Sequence, residues 1–165
     1  AMSASGRYGD ARIAAGIVGL ADLNLGAGAK EVLEAHIAAG SGRFRGIRHA
    51  ASWDASDDIR NSHTKPWDGM LADATFREGF AQLAPLNMSF EAWCYHPQIG
   101  QVTDLARAFP DTTMILNHFG GPLGIGPYAG KREEIKAQWR LEIDALAKCP
   151  NVVAKLGGIN MRVNG

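Results

Sequence analysis

Five stretches of the chain are apolar almost without a break: residues 12–23 (RIAAGIVGLADL), 43–50 (RFRGIRHA), 88–95 (MSFEAWCY), 112–118 (TTMILNH) and 151–158 (NVVAKLGG). A strand with one face in water alternates apolar and polar side chains, whereas a strand covered on both faces need not. The five therefore read as buried parallel strands. Between them the spacing changes to that of a helix. Val32, Leu33, His36 and Ile37 share one face before Gly40, and Phe76, Phe80 and Leu83 follow i, i+4, i+7 spacing before Pro85. Val102, Leu105, Ala106 and Phe109 make a stripe ended by Pro110, and Ile135, Trp139, Ile143 and Leu146 make another that ends near Pro150. Glycine or proline just past each stripe is the expected punctuation of a helix end.

Alternating strands and helices imply a parallel sheet joined by right-handed crossovers, in an open doubly wound form or a barrel. No GxGxxG or GxxxxGKS/T follows any strand, so the nucleotide-binding form of the open sheet lacks its usual marker. The glycines of residues 117–130 (NHFGGPLGIGPYAG) lead into a long loop instead of opening a helix. The longest break, residues 51–72, is polar, carries Trp53 and Trp67, and follows the C-terminal end of the second strand. Both architectures place ligand loops at that end, so a loop covering a pocket is expected there.

A length of 165 residues suits one domain, and 46% hydrophobic with 21% charged residues is ordinary for a soluble protein. Seventeen Lys and Arg balance seventeen Asp and Glu. That leaves no basic surface for nucleic acid or an anionic membrane, and no apolar run nears the roughly 20 residues that span a bilayer. The partner expected is a small-molecule substrate. Residues 1–11 are small and polar, unlike a secretory leader, and read as a loop or a cut end. Cys94 and Cys149 have no CxxC spacing and read as reduced, buried thiols of a cytoplasmic protein.

Candidate chemistry gathers at the strand ends: Arg48 and His49 after the second strand, His96 in YHPQ, and His118 in LNHFGGP. If the strands are parallel, these ends open on one face and distant side chains converge. A guanidinium there suits a substrate carboxylate, and imidazole serves either as an acid/base or as a metal ligand. His49 is a second substrate-binding candidate, or simply a cap on the rim. His36 reads as a helix filler and His63 as a solvated loop residue.

The segments GIVGLADL (16–23), FRGIRHA (44–50), YHP (95–97), ILNHFGGP (115–122) and NVVAKLGGI (151–159) resemble, in order and spacing, the amidohydrolase-2 branch of the amidohydrolase superfamily. The nearest group is the metal-dependent hydrolases that are similar to fuconolactonases and pyrone-dicarboxylate lactonases. The resemblance implies a (β/α)8 TIM barrel of which this chain supplies strands three to seven. It implies His96 as a candidate metal ligand for zinc or manganese, His118 as the acid/base, and Arg48 as a contact to substrate carboxylate. The family's HxH on strand one and acidic residue on strand eight have no counterpart here, so the sequence is expected to be an internal portion of a longer chain. The implied activity is hydrolysis of a lactone or cyclic ester of a small carboxylated substrate. The alternatives are a metal-dependent non-oxidative decarboxylase, or a catalytically incomplete part-barrel whose unpaired edges make it a homo-oligomer.

Overall fold

A computed structural model describes residues 5–11, 13–158 and 160–165. Part of the polar start (residues 1–4), Arg12 of the first apolar run, and Ile159 at the end of the last motif therefore lie outside the described residues. Five strands form a single sheet: β1 (Ile17–Gly19), β2 (Phe44–Ile47), β3 (Ser89–Ala92), β4 (Met114–Leu116) and β5 (Val152–Ala154). Four helices alternate with them: α1 (Ala29–Ala39), α2 (Ala74–Phe80), α3 (Ile99–Ala108) and α4 (Arg132–Leu146). Each expected element is present, with strands shorter than the apolar runs that announce them.

The sheet order is β1-β2-β3-β4-β5 and every pairing is parallel. A doubly wound sheet reverses its strand order midway and takes helices on both faces. With sequential order, right-handed crossovers all turn the same way and put the helices on one side. The result is a five-stranded wall of an α/β barrel.

Side chains alternate across that wall. Phe90, Met114 and Val152 lie level on the helix side, with Ile47 paired to Phe90. Phe76 and Phe80 of α2 pack on Phe90, at ring-centre distances of 6.3 and 5.0 Å. Leu33, Val102 and Leu105 complete the same buried cluster. The stripes seen in the sequence are thus the faces that cover the sheet. On the opposite, concave face the row is Glu91, Ile115 and Val153. Val18, Leu20 and Val153 are 43–55% exposed there, so this face carries apolar side chains in contact with water.

Local chemistry fixes the joints. Asp73 caps α2 by accepting from the Thr75 and Phe76 amides at 2.8 and 3.1 Å. The Asn151 amide donates to three carbonyls, of Ala106, Phe109 and Thr112, each at 3.1 Å, tying the end of α3 to the start of β5. No described helix is long and apolar enough to cross a membrane.

Close packing also explains one glycine. A Cβ on Gly79 in α2 would stand 2.2 Å from the Leu23 carbonyl oxygen. At an open helix position Gly→Ala gains about 0.8–1.0 kcal/mol from helix propensity. Here Gly79→Ala is expected to destabilise by about 1–3 kcal/mol, the usual range for overpacking. Urea unfolding measures it, and a stabilised variant would show that α2 does not press on the Leu23 turn.

Candidate functional site

The last residues of the ladders set the site. The residue after each of β2, β4 and β5 still bonds to the neighbouring strand. The Arg48 amide donates to Gly19 at 2.8 Å, the Asn117 amide to Ala92 at 2.9 Å, and the Lys155 amide to Leu116 at 2.9 Å. Their side chains meet Glu91 of β3, which is buried. Arg48 Nε donates to Glu91 Oε2 at 2.9 Å, Arg48 Nη2 donates to the same oxygen, Lys155 Nζ donates to Oε1, and Asn117 Nδ2 approaches Oε2 at 3.4 Å. Burial alone would raise the Glu91 carboxyl; the hydrogen bonds from Lys155 and Arg48, with their charges, outweigh it and hold it below the ordinary carboxylate range. Two cations against one anion leave the cluster net positive, and Arg48 Nη1 has no partner among the described residues.

Neither Glu91 nor Lys155 was among the candidates read from the sequence. The available signal was a lone charge inside each apolar run, in SFEAW and VVAKL. An ion buried in a strand must find a counter-charge, so each of these two implies an opposite partner elsewhere in the chain.

His118 follows β4 in an unusual backbone. His118, Phe119, Gly120 and Gly121 all have positive φ, at 51°, 55°, 71° and 48°. For the two non-glycine residues this conformation costs about 1–3 kcal/mol each and persists only where surroundings over-determine it. They do so here. The Gly120 amide donates to Asn117 at 2.9 Å, the His96 amide donates to Gly121 at 3.2 Å, and the Trp139 indole donates to the Phe119 carbonyl at 2.7 Å. The imidazole rests edge-on to Trp93 at 5.1 Å and packs against bare Gly158, where a Cβ would come within 2.6 Å of His118 Nδ1. That Nδ1 is buried and has no hydrogen-bond partner among the described residues.

The other two histidines are built differently. His49 lies on the helix side, its ring 5.5 Å from Phe76, and its Nδ1 accepts from the Leu23 amide at 3.1 Å. Its pKa is lowered by burial, against the pull of Asp22 and with a push from His63. His96 is fully buried, its Nδ1 accepts from the Leu123 amide at 3.3 Å, and Tyr128 sits edge-on at 5.3 Å. Burial lowers its pKa to about 4, with Asp54 opposing. The Tyr128 hydroxyl, raised to about 12 by burial and by Asp54, donates to Asp54 Oδ2 at 2.6 Å. Both rings are therefore neutral near pH 7. In each, an accepting Nδ1 puts the proton on Nε2.

That tautomer bears on metal binding. His96 Nε2 is buried and, among the described residues, without a partner; while Nδ1 accepts from Leu123 it holds the proton, and it would offer a metal its lone pair only once that proton or the Leu123 bond is given up. Among the described residues no group of three His, Cys, Asp or Glu stands together to hold an ion, short of the three protein ligands of a catalytic zinc. By themselves these residues do not make a metal site. Cys94 and Cys149 are buried free thiols, and burial pushes Cys94 up to about 12, so it is not a nucleophile.

Arg48 and His118 thus line separate hollows, and His96 lines neither. Arg48 and Glu91 border a cleft of about 390 Å³ with Leu20 and His63, and His118 borders a cavity of about 580 Å³ with Trp139. Asn117 joins them, touching Glu91 with its side chain and preceding His118 in the chain. The 51–72 loop is anchored alongside: Tyr95 donates to the Arg60 carbonyl at 2.5 Å, and Asp54 takes the Tyr128 bond.

Comparison with known proteins agrees with this frame. The family described as Amidohydrolase matches residues 10–164. An uncharacterized protein of Sinorhizobium fredii is 32% identical over 147 residues, covering 88% of this chain and 45% of that protein. Two crystal structures of an amidohydrolase from Burkholderia multivorans are similar, each with a TM-score of 0.67. The one with bound zinc is 27% identical, covering 91% of this chain and 46% of that one; the one with bound HEPES is 26% identical, covering 92% and 47%. The chain spans about half the length of the relatives it matches.

Two measurements test the site. Glu91→Gln should destabilise the chain by about 1–3 kcal/mol at pH 7, below the 3–5 kcal/mol of a fully buried pair because both cations are nearly half exposed. A carboxylate with a lowered folded pKa contributes fully above its unfolded value of about 4.5 and loses that contribution as pH falls through the folded value. The gap between the two proteins should therefore narrow below pH 4.5; equal urea midpoints at pH 7 would remove Glu91 as a tie. Separately, imidazole nitrogen shifts at pH 7 should show His96 protonated on Nε2 alone, and a protonated Nδ1 would contradict the Leu123 bond.

Proposed function

The chain belongs to the amidohydrolase family, and from that premise we propose that it carries part of the site of a hydrolase that opens a lactone or cyclic ester of a small carboxylated substrate. The observation that carries this reading is the left-handed turn at 118–121, where backbone strain is spent on presenting one imidazole at a strand end. Water attacks the lactone carbonyl carbon, and His118 takes the proton the water loses. As the ring C–O bond breaks, His118 returns that proton to the departing oxygen, giving a hydroxy acid. Arg48, its plane set by Glu91, offers its remaining N–H groups to a substrate carboxylate, and Lys155 adds positive field at the same mouth.

His49 supports this end by holding the Leu23 turn behind Arg48, and His96 by holding the loop at Leu123. The zinc bound by the Burkholderia multivorans relative suggests a divalent metal for this chemistry, and the roles given to this chain's residues do not depend on it.

In the full-length enzyme His118→Ala should lower turnover of its lactone by about 10²–10⁴, the usual worth of a positioned acid/base. Survival within about tenfold would end the assignment. Assaying lactones beside hydroxybenzoates separates hydrolysis from decarboxylation: release of carbon dioxide with lactones untouched would replace this reading with the latter.

A further inference from the structure

The cavity beside His118 has a second wall that the hydrolytic step does not use. On α4, Arg132, Lys136 and Trp139 stand at i, i+4 and i+7, so all three face the same way, and all three line the cavity. Ile135 and, from the facing loop, Leu123 line it as well. The Tyr128 hydroxyl is already committed to Asp54; Asn164 and Gly165 also line the cavity, so its polar groups are His118, Asn164 and the two cations, among otherwise apolar walls. Arg132 makes no ion pair among the described residues, and the Lys136 partner, Glu133, is 3.8 Å away on an exposed turn. Glu134 is the other acid of that first turn. Lys131 stands at the N-cap and supplies no side-chain bond, so the first helix amides are uncapped and the helix end is favourable to an anion. A volume of about 580 Å³ suits a small molecule.

The geometry points to a binding site for a flat organic carboxylate, its anionic end between Arg132 and Lys136 and its apolar body against Trp139, Ile135 and Leu123. A guanidinium and an ammonium one helical turn apart can share one carboxylate, and an indole face accepts a flat apolar ring. In the lactone reading this is where the remote half of the substrate lies, and the inference rests on that reading only for the part His118 plays in turnover.

Benzoate, with its neutral amide benzamide as control, is the probe, and the Trp139 indole N–H resonance of the full chain is the readout, assigned with Trp139→Phe. Benzoate should move that resonance saturably, and benzamide should bind at least tenfold more weakly. The double substitution Arg132→Gln with Lys136→Gln should weaken benzoate at least tenfold while leaving the ligand-free resonance in place, which shows that the fold is intact. No saturable shift, equal binding of benzamide, or undiminished binding by the double variant would each overturn the site. Benzoate binding with lactone turnover preserved in His118→Ala would keep the cavity and lose the chemistry. The reverse pair of results would lose the cavity alone.

Discussion

A buried carboxylate on the concave face of the sheet constrains everything around it. Placing an ion there costs several kcal/mol in lost hydration, and only close counter-charges with good hydrogen-bond geometry offset that. Glu91 finds them on both sides, Arg48 beyond β2 and Lys155 beyond β5, and the Asn117 side-chain amide beyond β4 approaches the same carboxylate. One side chain therefore ties together the ends of four strands at the level where the ladders stop. The same arrangement fixes the Arg48 guanidinium plane, so a residue that would otherwise be a mobile surface cation becomes an oriented one.

The second constraint is local strain. Four consecutive left-handed residues after β4 would not hold their shape in isolation, since His118 and Phe119 both have a Cβ to accommodate. The turn is held from α4 through the Trp139 indole, from the β3 side through the His96 amide, and from the β5 side by the bare α-carbon of Gly158. Those contacts leave His118 Nδ1 buried and, among the described residues, unpaired beside a cavity; His96 Nε2 is unpaired as well, but His49 and His96 each spend Nδ1 on a main-chain amide. Similar residue types at similar strand ends thus do different work. His49 and His96 each brace a loop through a main-chain amide, and His118 Nδ1 makes no such bond among the described residues.

Local periodicity by itself determined the order of strands and helices, the faces of the four helices, and the strand-end positions of Arg48, His49, His96 and His118. Those properties follow from side-chain spacing within about ten residues, which is why the whole i, i+4, i+7 stripe of Phe76, Phe80 and Leu83 lies in the core. Tertiary structure decided the rest. Arg48 meets Glu91 across 43 residues and Lys155 meets Glu91 across 64, a pairing that strand register sets and spacing along the chain does not show. The tautomers of His49 and His96 depend on amides 26 and 27 residues away, and the grouping of Arg132 and Lys136 with His118 depends on how α4 lies against the β4 loop. Sequence patterning reports which face a residue occupies; only the packed chain determines what that face meets, because hydrogen bonds and charge pairs act over a few ångströms between segments that the sequence keeps far apart.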